Sequence, residues 1–471
     1  MLNRVFDSDT ICAIATPHGM GAIAVVRISG AKAHSIVSQL FTQNNKPFDF
    51  GKIVANKAYY GHIVDHGELL DEVLVTFFKA PHSFTGEDSA EISVHGSVYV
   101  QQKLLQILIA HGCRMAEAGE FTRRAFVNRK FDLAQAEAIA DLINSESEAA
   151  HRVAINQLKG GFSKELQVMR SKLLEMTSLI ELELDFSEED VEFADRSQLK
   201  ALLQETLSHV DKLKDSFRLG NAIKNGIPVA IVGLTNTGKS TLLNALLGED
   251  RAIVSDIAGT TRDTIEETLN INGILYRFID TAGLRNTDET IERIGIERSY
   301  KKISEANVVI GMLDATTSYE SMLSSAQAIV AKVDLQHQQL ILCINKVDTL
   351  SDYGESLRGK LNHDLDSNDI MVICLSAKHG FGLNDLYNTL KLSQPLASPD
   401  ATLVTNVRHY EALMHASESL KSVQQGLEMN IPTDLISHDL RQALYYLGSI
   451  TGEITTDEVL GSIFSRFCIG K

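Results

Sequence analysis

The sequence predicts a multidomain α/β-plus-α protein, and three observations carry that prediction. A strand, a glycine-rich turn and a helix start follow one another between Val229 and Leu247. Residues 1–130 alternate strand and helix signals, whereas 131–220 and 396–471 show apolar residues at helical spacing. At 471 residues the chain is long enough for several domains, each burying its own core.

In residues 1–130, Thr10 to Ala15, Ile23 to Ser29, Val73 to Phe78 and Ser89 to Val94 read as strands, and Val98 to Ala110 as a helix. From Leu133 the pattern becomes helical. Leu133, Ala136, Ala140 and Ile143 share one face, and so do Leu166, Met169, Leu173, Met176 and Ile180. A linker-like stretch from Gly220 to Gly226 introduces a second α/β domain, 221–395, which ends near the loop Ser393 to Pro399. Helices from Arg408 to Leu427 and from Thr433 to Leu447 follow. Helical stretches on both sides of an α/β domain suit an insertion into one helical domain; two independent helical modules fit the pattern equally well.

The segment Gly233-Leu-Thr-Asn-Thr-Gly-Lys-Ser240 has the spacing of a phosphate cradle, between an apolar run and a helix-like one. Backbone N–H groups and the positive helix end face an anion there. Asn236, Thr237, Gly238, Lys239, Ser240 and Thr241 make up its nucleotide-facing part. Lys239 can reach the β and γ phosphates, and the Ser240 hydroxyl can sit on Mg²⁺.

Asn345-Lys346-Val347-Asp348 follows the apolar run Leu340 to Ile344. A carboxylate at Asp348 can accept two hydrogen bonds from guanine's Watson–Crick edge, a donor pair that adenine lacks. Ser376-Ala377-Lys378, after Met371 to Leu375, suits a backbone contact to the guanine carbonyl. Asp280-Thr281-Ala282-Gly283 ends the strand Leu275 to Ile279; Asp280 would reach Mg²⁺ through water and Gly283 the γ-phosphate. Gly259-Thr-Thr-Arg-Asp263 supplies a switch threonine, Thr261, for the metal. Five such motifs in order predict a Ras-like P-loop GTPase domain. One position departs from the signalling GTPases: Leu284 follows Gly283 where a Gln would orient water. Either hydrolysis is slow or another polar group acts, with Asp288 to Arg293 offering candidates.

Composition is that of a globular chain, 44% hydrophobic and 22% charged, without Trp. Cys12, Cys113, Cys343, Cys374 and Cys468 lack C-x-x-C spacing, so a reducing cytoplasm is expected. No apolar run approaches a membrane span, and no signal peptide is expected. The net charge of −17 argues against a chain coated in nucleic acid. Residues 1–130 carry +1 and the rest −18. Arg114, Arg123, Arg124, Arg129 and Lys130 cluster as a local phosphate footprint or a solvated basic face.

These motifs, the helical flanks and the terminal Phe467-Cys-Ile-Gly-Lys471 resemble the tRNA modification GTPases of the MnmE (TrmE) family. The resemblance covers nearly the whole chain. It includes Thr10-Ile-Cys-Ala-Ile-Ala-Thr-Pro17, Val26-Arg-Ile-Ser-Gly30, Ser83-Phe-Thr-Gly-Glu-Asp88, Gly119 to Lys130 and Asp132 to Ala140. It implies an N-terminal folate-binding and dimerising domain over 1–130 and a helical domain from 131–220 and 396–471. The GTPase domain, 221–395, would be inserted between them. It also implies a homodimer working with a flavin-dependent (FAD) partner, MnmG-like, in a heterotetramer or larger complex. Together they would add a carboxymethylaminomethyl-type group to the wobble uridine of certain tRNAs. The one-carbon unit would come from a tetrahydrofolate in its 5-formyl or methylene form.

By the same resemblance Glu292, in Glu292-Arg-Ile-Gly-Ile-Glu297, orients water in place of the missing Gln. Potassium stands in for an arginine finger, held by Asn236, Ser255, Ile257 and Thr260. The run Ser255, Asp256, Ile257, Ala258, Gly259, Thr260 and Thr261 lines the GTP site, and Mg²⁺ falls to Ser240 and Thr261. Folate falls to Arg27, Glu91, Lys130 and Lys471, cations suiting its glutamate tail and a carboxylate its pterin. Thr235 stands where the family usually has Pro, and Ser255 where Thr is common. His18 and Met20 break the family pattern and receive no role.

GTP hydrolysis coupled to tRNA modification is therefore the expected function. A GTP-switched ribosome-assembly factor is the alternative, but such factors usually add a basic RNA-binding module, which this acidic chain lacks. A degenerate GTP-binding scaffold is disfavoured because no phosphate, metal or guanine motif is broken.

Overall fold

The computed structural model describes residues 9–44, 46–49, 51, 53–185, 196–248, 267–271, 273–279, 303–366, 369–392, 402–429, 431–465, 467, 469 and 470. Met1–Ile143, Gln157–Val210 and Ala412–Lys471 form one compact unit; Asn144–Asn156 and Asp211–Glu411 form the other.

The first unit begins with eight strands: β1 (Thr10–Ile14), β2 (Ile23–Ser29), β3 (Phe41–Gln43), β4 (Lys46–Pro47), β5 (Ala58–Asp65), β6 (Glu68–Phe78), β7 (Ser89–His95) and β8 (Cys113–Met115). They pair in the order β4-β3-β5-β6-β7-β2-β1-β8. Every pairing is antiparallel except β1 with β8. Alternation sends Val26, Ile28, Val73, Val75, Phe77, Ile92 and Val94 into one core. The helices Ala33–Leu40 and Val98–Ala110 cover it with Ile36, Val37, Leu40, Leu104, Ile107 and Leu108. The helix Glu120–Val127 belongs to a second cluster, in which Phe121 joins Ile11, Ala13 and Ala116.

Helices fill the rest of this unit. Leu166, Met169, Leu173, Met176 and Ile180, predicted on one face of Gly161–Asp185, are all buried. That helix packs on Thr433–Thr451 from the far end of the sequence, where Arg441 meets Glu181 at 2.6 Å. Gln157–Val210 and Ala412–Lys471 thus belong to one unit, whereas Asn144–Asn156, 211–220 and 402–411, also expected in the helical stretches, fall in the other. Along Leu133–Ile143 the predicted stripe is buried only at Leu133 and Ala136, and Ile143, at the end of the helix, is 44% exposed. The last helix, Asp457–Phe464, starts where the Thr456 hydroxyl accepts from the Val459 amide.

The second unit is a doubly wound α/β layer of β9 (Ile227–Gly233), β10 (Glu267–Ile271), β11 (Ile274–Phe278), β12 (Val308–Asp314), β13 (Gln339–Asn345) and β14 (Ile370–Cys374). The order is β10-β11-β9-β12-β13-β14, parallel apart from the β10–β11 hairpin. Both faces carry a core, which is why β12 and β13 read as continuous apolar runs. Cys343 and Cys374 are buried free thiols, and burial pushes Cys343 up to about 12.

The expected linker from Gly220 to Gly226 is instead mostly helix, Phe217–Asn225. Tertiary contacts override its Gly and Asn content. Phe217 stacks on Tyr410 with centroids 4.6 Å apart, Ala222 is buried, and the Ser216 hydroxyl accepts from the Val404 amide.

Candidate functional site

The parallel strands β9, β12 and β13 end at Gly233, Asp314 and Asn345, on the edge where doubly wound folds place their ligands. From Gly233 the chain turns through Asn236, in the left-handed region at φ 60°, and enters the helix Lys239–Gly248. Thr237 closes this turn by donating to the Leu234 carbonyl at 2.9 Å. The Lys239 ammonium lies against the carbonyls of Gly233 (3.0 Å) and Leu234 (2.6 Å), at the mouth of the loop. Ser240 and Thr241 occupy the first helical turn, where the outward N–H groups and the helix dipole favour an anion.

Asn345 ties this loop to the one predicted to read the base. Its side chain is 3% exposed; the amide donates to the Thr237 carbonyl at 2.8 Å, and its oxygen accepts from the Ala377 amide at 3.0 Å. Lys346, in the left-handed region at φ 66°, reaches Asp314 at 2.6 Å. Burial works to raise the Asp314 carboxyl, but Lys346 and Thr316 outweigh it and hold the group below the usual range. Asp348 accepts from the Ser376 hydroxyl at 2.6 Å, which holds its carboxyl below the usual carboxylate range. His379 stands 3.7 Å from the other Asp348 oxygen, and the Phe381 carbonyl accepts from the Ser376 amide to close the Ser376–Lys378 turn.

The structure thus brings together Asn236, Thr237, Gly238, Lys239, Ser240 and Thr241 in one loop and helix start. Through Asn345 it joins them to Ala377, and it sets Asp348 on Ser376. Ser255, Asp256, Ile257, Ala258, Gly259, Thr260, Thr261, Asp280, Thr281, Ala282, Gly283, Leu284 and Glu292 lie outside the described residues, as do Cys468 and Lys471. Among the described residues no group of three or more His, Cys, Asp or Glu side chains could hold a metal.

In the first unit, Arg27 on β2 and Glu91 on β7 are register partners, and the Arg27 Nε donates to Glu91 at 2.9 Å. The Arg27 guanidinium lies against two rings, 5.0 Å from the centre of Phe84 and 5.7 Å from that of Phe121. Phe84 also meets Phe131 at 5.9 Å, and the neighbouring Lys130 donates to the Pro81 carbonyl at 2.9 Å. The C-terminal segment docks on this unit: Ile469 bridges to Ala118, and Gly470, at φ 94°, has no room for a Cβ against the Ile14 carbonyl.

A family model for the MnmE helical domain matches residues 133–468, and one for the GTP-binding protein TrmE N-terminus matches 10–130. The tRNA modification GTPase MnmE of Bacteroides fragilis is 50% identical over 472 residues, covering 99% of this chain and 100% of the relative. That of Flavobacterium johnsoniae is 51% identical over 472 residues, with 99% and 100% covered. That of Porphyromonas gingivalis is 49% identical over 475 residues, with 99% of each covered. The chain belongs to the MnmE family.

Two features of this MnmE-family chain were not read from its sequence. Asp314 ends an apolar run, Val308–Leu313, as conspicuous as those before the recognised motifs, yet no motif follows it to mark its pairing with Lys346. The basic cluster is not one uniform face: Arg124 is buried and Arg123 half-buried, while Arg114, Arg129 and Lys130 are exposed. Arg124 is 3% exposed and contacts Asp9, Glu87 and Glu120, while Arg114 pairs with Asp9 at 2.7 Å and Glu120 at 2.6 Å. Arg123 pairs with Glu117 at 3.0 Å, so only Arg129 and Lys130 are exposed members without a carboxylate contact shown. The carboxylates come from elsewhere in the chain, which is why local charge counting misread the cluster.

Proposed function

We propose that this GTP hydrolase of tRNA modification acts at the wobble uridine, adding a carboxymethylaminomethyl-type group with an FAD-dependent, MnmG-like partner. The one-carbon unit comes from a 5-formyl or methylene tetrahydrofolate. The observation that carries the GTP reading is the Asn345 side chain, which fixes the phosphate cradle and the Ser376–Lys378 loop in one arrangement. Family membership carries the tRNA reading.

In this reading Lys239 and the cradle amides hold the phosphates, and Asp348 reads guanine with Ser376, Ala377 and Lys378. Ser240 and Thr261 hold Mg²⁺, and Glu292 orients the attacking water. Asn236 would hold potassium, with Ser255, Ile257 and Thr260 supplying further oxygens. Potassium supplies positive charge as the phosphoryl group transfers. Arg27, Glu91, Lys130 and Lys471 hold the folate. The chain works as a cytoplasmic homodimer built from 1–130, a helical domain of 131–220 with 396–471, and a GTPase domain of 221–395. Among the described residues no helix is long and apolar enough to cross a membrane.

Hydrolysis is expected to run at least about tenfold faster in potassium than in sodium, since the cation acts on transition-state charge. Equal rates would remove potassium from the account. Gly470→Ala separates the two activities. A Cβ there overlaps the Ile14 carbonyl. It should lower wobble modification by about 10²-fold through misplacing Lys471, leaving GTP turnover unchanged. Unimpaired modification would take Lys471 out of the folate site.

A further inference from the structure

We propose that Arg124 is a positioning residue for the Arg27 site, fastening residues 79–88 so that Phe84 stays packed with Phe121 against the Arg27 guanidinium. Arg124 contacts no residue predicted to touch a ligand. It is the most buried cation of the first unit's basic cluster, with its side chain 4% exposed. One Nη donates to Glu87 at 3.1 Å and to the Asp9 carbonyl at 3.0 Å; the other donates to the Asp9 carboxylate at 2.8 Å and to Glu120 at 2.9 Å. One planar fork thus gathers three carboxylates from three segments, a geometry that a lysine cannot reproduce.

Two of these segments carry the rings on Arg27. Phe121 precedes Arg124 by three residues on Glu120–Val127, and Phe84 precedes Glu87 by three in the connection between β6 and β7. That connection has no strand or helix of its own and is tied down by side chains. Ser29 donates to Glu87 at 2.8 Å and shares a hydrogen bond with Thr85 at 2.6 Å; Asn128 donates to the Thr85 carbonyl at 2.8 Å. Only the Glu87–Arg124 tie is ionic and mostly removed from water, so it is the strongest of the set. Since Glu91 takes the Arg27 Nε, the two rings govern which way the rest of the guanidinium faces.

The ligand of that site is taken from the folate reading, so the test separates the two. The natural chain has no Trp, so Phe84→Trp provides a single indole beside Arg27. Glu87→Gln keeps the side chain's size and its acceptor for Ser29 while removing the charge facing Arg124; Arg124→Lys keeps charge and removes the fork. Each should weaken binding of 5-formyltetrahydrofolate about tenfold by calorimetry. In the Phe84→Trp background each should red-shift the indole emission and increase its quenching by acrylamide. GTP turnover should stay at the parent value, while the melting temperature falls because a buried ion pair is broken.

Unchanged folate affinity together with unchanged emission would overturn the proposal, and so would a parallel fall in GTP turnover, which marks a general structural role. If the natural chain itself binds no folate, the folate reading fails and the emission alone decides: a red shift supports positioning, and none overturns it. Should one variant fail to fold, the other carries the same measurements.

Discussion

Asp348→Asn is expected to weaken GTP binding by about 10²–10³-fold and to transfer the preference to xanthosine triphosphate. Guanine presents an N1–H and a 2-amino group side by side, and a carboxylate accepts both. An amide accepts one and sets its own N–H against the other, losing one charge-assisted bond, weakening the second and leaving a donor facing a donor. Xanthine carries an oxygen at that position, which the new amide can donate to. The Ser376 hydroxyl already fixes one Asp348 oxygen at 2.6 Å, so the carboxylate is preorganised and its loss is felt in full. Because Ser376 holds this carboxyl below the usual carboxylate range, discrimination should persist through the neutral and mildly acidic range and fade only as pH falls through the lowered value. Titration of both nucleotides checks it. Unaltered selectivity for GTP would move guanine recognition away from Asp348.

Gly238→Ala is expected to cost about 10³-fold in nucleotide affinity, although it adds one methyl group. Gly238 sits at φ 94°, where an L-residue is strained by roughly 1–3 kcal/mol. Its Cβ would also overlap the Asn345 amide nitrogen. Moving Asn345 breaks its bonds to Thr237 and Ala377, buried hydrogen bonds whose loss costs about 1–3 kcal/mol each. The cradle and the base-reading loop would then lose their common tie. Binding should fall for every purine nucleotide alike, unlike the switch at Asp348. The cores on both faces of the sheet should survive, which a melting curve checks. An affinity within threefold of the parent would contradict the bridging role of Asn345.

The contrast shows which parts of the site were legible in the sequence. Local motifs were, because a strand, a tight turn and a helix start impose residue types at fixed spacing. The bridge was not: Asn345 lies 108 residues from Thr237 and 32 from Ala377, and spacing carries no sign of that meeting. The same holds for Arg124, whose partner Glu87 lies 37 residues away and Asp9 115.

Among elements, parallel strands buried on both faces, such as β9 and β13, announced themselves as apolar runs. The strands β3, β4 and β8, of three, two and three residues, are too short to show a period. The helix Phe217–Asn225 was hidden by its Gly and Asn content, since its stability comes from Tyr410 and Val404 far along the chain.

The most direct test of the function is nucleoside analysis of tRNA from cells lacking this protein, with the gene restored as control. The account predicts that carboxymethylaminomethyl-type wobble uridines disappear and return on restoration. Wobble uridines unchanged by the loss would contradict it.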